Sequence, residues 1–139
     1  MAKSERWPDL TRRVASDGFT LTVNGQEYHP HKGEWVKLKQ AMSGEDMRVL
    51  CEFYGVMSQG MSPETALALS GLLTDVWKSL AGTVLDWNWR GPDGEYYAKP
   101  SLESIKGLMI EEIFWLVGAL YTKPTEETGP NSPGESPSS

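Results

Sequence analysis

A chain of 139 residues with 39% hydrophobic content has room for one domain built on one core. Its longest apolar run, at 113–121, is too short to span a bilayer and follows directly on Glu111 and Glu112. The net charge of −6 and the scattered Lys and Arg, clustered only at Arg12-Arg13 and around Lys32, Lys37 and Lys39, argue against a phosphate-tracking face and hence against nucleic acid as a partner.

Residues 1–17 are polar, with Trp7 ahead of Pro8, and read as a flexible N-terminal arm. They carry no apolar stretch of the secretory kind, and Cys51 has no second cysteine with which to form an internal disulfide. A reducing cytosol is therefore the expected compartment. The folded unit is expected over 18–121, as a single α+β domain.

It opens with strands. Phe19, Leu21 and Val23 alternate with Thr20 and Thr22, the period of a half-buried strand. Asn24-Gly25 then suits a tight turn whose central residues both need positive φ. Gln26-Glu27-Tyr28 should return antiparallel, and Glu34-Trp35-Val36-Lys37-Leu38 alternates again after a Pro- and Gly-bearing loop. The expected unit is a small antiparallel hairpin or three-stranded sheet packed on a bundle of three helices.

The first helix follows Ser43 as its cap, with Asp46 in a capping-box position and Met47, Leu50, Tyr54 and Met57 on one face. Cys51 is expected on or beside that face as a small core residue. The second helix starts at Ser62, Pro63 and Glu64, all suited to an N-terminus, and carries Leu69, Leu72, Leu73, Val76, Trp77 and Leu80 as its stripe.

Val84-Leu-Asp-Trp-Asn-Trp89 reads as extended and runs into a turn at Arg90-Gly-Pro-Asp-Gly94. Ser101 can cap a last helix through about Tyr121, with Leu102, Ile105, Met109, Ile113, Leu116 and Leu120 as its stripe and Phe114 and Trp115 beside it. Residues 122–139 hold four prolines and no apolar side chain, and are expected to be a disordered tail.

Chemistry is sparse along this chain. His29 and His31, alternate residues flanked by Glu27 and Glu34, could chelate a metal with Glu34, but Pro30 between them favours a solvated loop and no further His or Cys stands at ligand spacing. The carboxylate pairs Glu45-Asp46 and Glu111-Glu112 fall in or near first turns, where helix dipole or water accounts for them. No nucleophile elbow or phosphate-cradling loop occurs. The reading is of a non-enzyme without metal or cofactor, in which Trp87, Trp89, Trp77, Phe114 and Trp115 are the candidate protein-binding residues. Trp87 and Trp89 lie on one side of an extended segment; burial of at least one ring in the core is the favoured expectation, and an exposed stacking platform for a sugar or aromatic partner is the alternative.

Three features together carry a resemblance. They are the hairpin Phe19-Thr-Leu-Thr-Val-Asn-Gly-Gln-Glu-Tyr28 with His31-Lys-Gly-Glu-Trp-Val36, the turn at Asp86-Trp-Asn-Trp-Arg-Gly-Pro-Asp-Gly94 with Pro100, and Ile110-Glu-Glu-Ile-Phe-Trp-Leu116 ahead of a polar tail. In this order they resemble the tail assembly chaperones of long-tailed bacteriophages and prophages. The resemblance implies a protein of the host cytoplasm whose partner is the hydrophobic tape-measure protein, with the tail-tube protein and self-association as further expectations. It supplies no catalytic residues. A structural component of the virion, from the tail or head-completion set, is the alternative, followed by a small metal- or sugar-binding protein.

Overall fold

The computed structural model describes residues 6–121; the expected tail at 122–139 lies outside the described residues. Strand β1 (Thr11–Ala15) pairs antiparallel with β4 (Trp35–Lys39), from Thr11 opposite Lys39 to Ala15 opposite Trp35. This corrects the expected arm over 11–17, while its residues 1–5 lie outside the described residues. Val14 and Ser16 turn inward from β1 and its continuation, both nearly inaccessible, while Arg12 stays on the same side and reaches across to a helix. An inward arginine hid the strand's alternation from an apolar pattern.

Strands β2 (Leu21–Val23) and β3 (Gln26–Tyr28) form the expected hairpin, with Asn24 at φ 54° and Gly25 at φ 78° in its turn. The three-stranded antiparallel sheet exists, but its members are β1, β4 and β5 (Val84–Trp87), in the order β1-β4-β5. The hairpin forms a separate two-stranded ribbon. Its strands are three residues each and bury little, whereas Val36 and Leu38 of β4 are fully buried and flanked on both edges.

Helix α1 (Gly44–Met57) is capped by Ser43, whose hydroxyl accepts from the Asp46 amide at 3.0 Å. Its buried face is Val49, Leu50 and Phe53. Met47 is 52% exposed and Cys51 is exposed as well, so the inward face is turned away from the expected one and Cys51 is not a core residue. Two stripes overlap at Leu50, and the bulky Phe53 ring wins the interior over the flexible Met47 chain.

Helix α2 (Pro63–Thr83) starts where expected, with the Ser62 hydroxyl accepting from the Thr65 amide, and passes straight into β5. The last helix is two. Helix α3 (Leu102–Lys106) is closed by a Ser101–Ser104 capping box and ends at Gly107, and α4 (Ile110–Tyr121) starts afresh. The break has a local cause, since Glu112 in the first turn of α4 reaches back to accept from the Met109 amide at 2.9 Å.

The core lies between the inner face of the sheet and the four helices, and is closed by Phe53, Trp87, Trp89, Ile105, Ile113 and Leu116. The architecture is α+β. Among the described residues no helix is long and apolar enough to cross a membrane.

Candidate functional site

Trp87 and Trp89 alternate along the segment that ends β5, so their rings share a side, and they stack at 5.4 Å with planes 6° apart. Both are buried, at 1% and 0% exposure. The Trp87 indole donates to the Ala98 carbonyl at 2.9 Å and the Trp89 indole to the Ser16 hydroxyl at 2.9 Å. This corrects their candidacy as protein-binding residues: no partner reaches their faces, and they anchor the core.

His31 extends the stack, lying on Trp89 at 4.1 Å and 10°. Its ring is 1% exposed. Nδ1 lies 2.7 Å from Glu34 Oε1 and Nε2 lies 2.7 Å from Glu112 Oε2. Both ring nitrogens are thus within hydrogen-bond distance of a carboxylate oxygen. Glu112 Oε2 also accepts from the Tyr97 hydroxyl at 2.7 Å, and Glu34 Oε1 from the Arg90 amide at 3.1 Å. Burial, and then the Glu112 carboxylate, push the Tyr97 phenol well above its usual range.

The quartet His31, Glu34, Tyr97 and Glu112 therefore joins the loop before β4, the segment after β5 and the first turn of α4. Each of these side chains has its partner inside the protein, and a buried polar network of this kind rigidifies what it joins. Both imidazole nitrogens are engaged by carboxylates, and His29 stays exposed on the loop. Among the described residues no group of three His, Cys, Asp or Glu side chains could hold a metal ion.

Pattern reasoning passed over Glu112. Its signal was available: it stands three residues after Met109 and four before Leu116, inside the buried stripe of α4. A pocket of about 440 Å³ opens above the quartet, between it and the hairpin side chains Leu21, Val23 and Tyr28.

On another side of the molecule an open groove of about 680 Å³ runs between β1, the end of α1 and α4. Val14, Ala15, Tyr54, Met57, Phe114 and Trp115 line it, and Gly118 and Ala119 make its α4 wall shallow. Phe114 and Trp115, both expected as binding residues, are thus brought together here and are half-buried. A second hollow of about 290 Å³ continues past them over Gly18, Phe19 and Thr20.

Trp77, the remaining candidate, is half-buried on α2 under the Lys106 ammonium and takes no part in the groove. Tyr54 and Met57 were expected on the apolar face of the first helix, whereas the β1 residues were missed, because β1 reads as an arm and the groove exists only once it is docked. At its edge Arg12 donates to the Ala119 carbonyl at 2.6 Å, and its buried Nη1 has no hydrogen-bond partner among the described residues. The negative end of the α4 dipole compensates that charge.

Comparison with known protein families, curated proteins and solved structures finds no match to this chain.

Proposed function

We propose that this protein is a tail assembly chaperone of a long-tailed phage, a non-enzymatic binder that keeps the hydrophobic tape-measure protein in solution in the host cytoplasm. The observation that supports this reading is the apolar groove between β1, α1 and α4, lined by Tyr54, Met57, Phe114 and Trp115. Apolar side chains that form an open groove instead of closing a core suit contact with another apolar chain. The thioether of Met57 adds a contact that can adapt to varied client side chains. The protein's acidic net charge keeps a complex with a hydrophobic client dispersed.

Co-expression with the tape-measure protein encoded beside it tests the proposal. Co-purification and a larger soluble fraction of that protein are expected, and Met57→Lys, which sets a hydrated ammonium at the rim of the groove where an apolar client side chain would dock, should abolish both. No change in the client's solubility, or no co-purification with the unaltered chain, would sink the proposal. Mass spectrometry of purified particles should find the chain missing, whereas a structural tail component would be present.

A further inference from the structure

The sheet has two edges, and they are finished differently. At the β5 edge the chain returns and covers itself. The Tyr97 amide donates to the Trp89 carbonyl at 2.8 Å, the Trp87 indole to the Ala98 carbonyl, and Lys99 Nζ to the Trp87 carbonyl at 3.3 Å. At the β1 edge the even-numbered residues face β4, as the flanking bonds from Gln40 to Leu10 and from Ser16 to Glu34 show. The amides and carbonyls of Thr11, Arg13 and Ala15 therefore point away from the sheet.

Thr11 is provided for. Its amide donates to Asp9 Oδ1 at 3.1 Å and its carbonyl accepts from Gln40 Nε2 at 3.0 Å. Arg13 and Ala15 have no such partner among the described residues, and both are exposed. An open edge of this kind is a template for one more strand. The apolar groove lies directly beneath it, since Val14 and Ala15 form its β1 wall.

We propose that the Arg13–Ala15 edge and the adjoining groove bind an extended segment of a partner protein as a fourth strand, with apolar and acidic residues alternating along it. Alternate side chains of an added strand point to opposite faces. One set would enter the groove toward Tyr54, Met57 and Trp115. The other would lie on the outer face of the sheet, where Arg13, Lys37 and Lys39 are exposed. Asp86 is the acid facing Lys37 there, and it is bridged to Lys99 at 3.0 Å, so the face beside β1 keeps its positive charge.

The positive field of this face, summed over Arg13 on β1 and Lys37 and Lys39 on β4, favours an acidic outer set on the incoming segment. The Arg13 guanidinium is folded over Trp35 at 4.1 Å, toward β4 and away from the open edge. Main-chain bonds hold such a segment while pockets for alternate side chains select it. This inference rests on the reading of the groove as a docking surface, and not on which protein is the client.

The test uses the whole chain and a short capped peptide in which glutamate alternates with leucine and valine. Binding is read by tryptophan fluorescence, and hydrogen exchange is read at the Arg13 and Ala15 amides. The expected result is saturable binding that slows exchange at both amides. N-methylating the peptide residues that face β1 should weaken it roughly tenfold or more, while N-methylating the intervening residues should not. Ala15→Pro, which removes an amide that β4 does not use, should weaken binding of the unmodified peptide similarly at unchanged thermal stability.

No binding, binding without protection of those amides, or equal sensitivity to both N-methylation patterns would overturn the proposal. If the peptide binds as expected but the tape-measure protein is not solubilised, the proposed function falls and the strand site stands. If that client is solubilised equally well by Ala15→Pro, the strand site falls and the function stands.

Discussion

His31 is buried with a carboxylate at each of its two ring nitrogens, at 2.7 Å each. Removing one partner from such an arrangement leaves buried polar groups without a hydrogen bond, which costs about 1–3 kcal/mol for each group. Glu112→Ala is therefore expected to lose stability on that scale, because Tyr97, His31 and the Met109 amide all lose an acceptor at once. Urea denaturation measures it, and an unchanged midpoint would show that the network contributes nothing. By contrast, Glu45→Ala breaks a fully exposed pair with Arg48 and should not move the midpoint measurably. Tyr97 gives the matching pH dependence. Folding raises its phenol above the unfolded value of about 10, so the folded state holds that proton more tightly. The stability so gained is present in full below that value and is lost as pH rises through the folded one. Stability measured against pH should accordingly fall in the alkaline range, and Tyr97→Phe should flatten that fall; an equally steep loss in the variant would refute the assignment.

At the level of elements, what was legible follows from how local each signal is. Ser43, Ser62 and Ser101 all cap helices where their hydroxyls stand before the first turn, because capping is settled within four residues. Asn24-Gly25 turns the hairpin for the same reason. The membership of the sheet was not legible, since the partners of β4 are twenty or more residues away along the chain in one direction and more than forty in the other. The groove inherits that difficulty: Phe114 and Trp115 stood out as unassigned aromatics beside a stripe, but Ala15 and Met57 become neighbours of theirs only in the folded protein. The quartet was half visible, with Glu34 already beside His31 in the sequence and Glu112 mistaken for an ordinary first-turn acid. The docked β1 leads to a sharp expectation. Deleting residues 1–8 should leave the fold intact, whereas deleting 1–16 removes Val14, the Arg12 contact to α4 and the hydroxyl that receives the Trp89 indole. Burial of Val14 alone is worth about 1.5–3 kcal/mol. Thermal melts of the two truncations decide it, and equal melting points would return these residues to the status of an arm.

For the molecule as a whole, core and surface aromatics should separate in what they do when removed. Trp89 is the junction: Trp87 and His31 stack on its two sides, Ser16 takes its indole hydrogen, and Tyr97 stands edge-on at 6.2 Å. Sheet, loop and β1 therefore all lean on one ring. Trp89→Ala opens a cavity there and is expected to cost about 3–5 kcal/mol, a large part of the roughly 5–15 kcal/mol that holds a domain of this size together. Met57, at the open end of α1, faces the groove and only partly contacts the core. Met57→Lys keeps most of its stem on the same apolar surface and lets the ammonium reach water beside the helix's negative end. It should shift the urea midpoint far less than Trp89→Ala does. Client capture should rank them the other way at temperatures where both variants are folded, with Met57→Lys losing the tape-measure protein and Trp89→Ala retaining it. Parallel urea titrations and co-purifications give both rankings from the same preparations. If the two variants fell together in stability and in capture, the division between an aromatic core and a separate docking groove would be wrong.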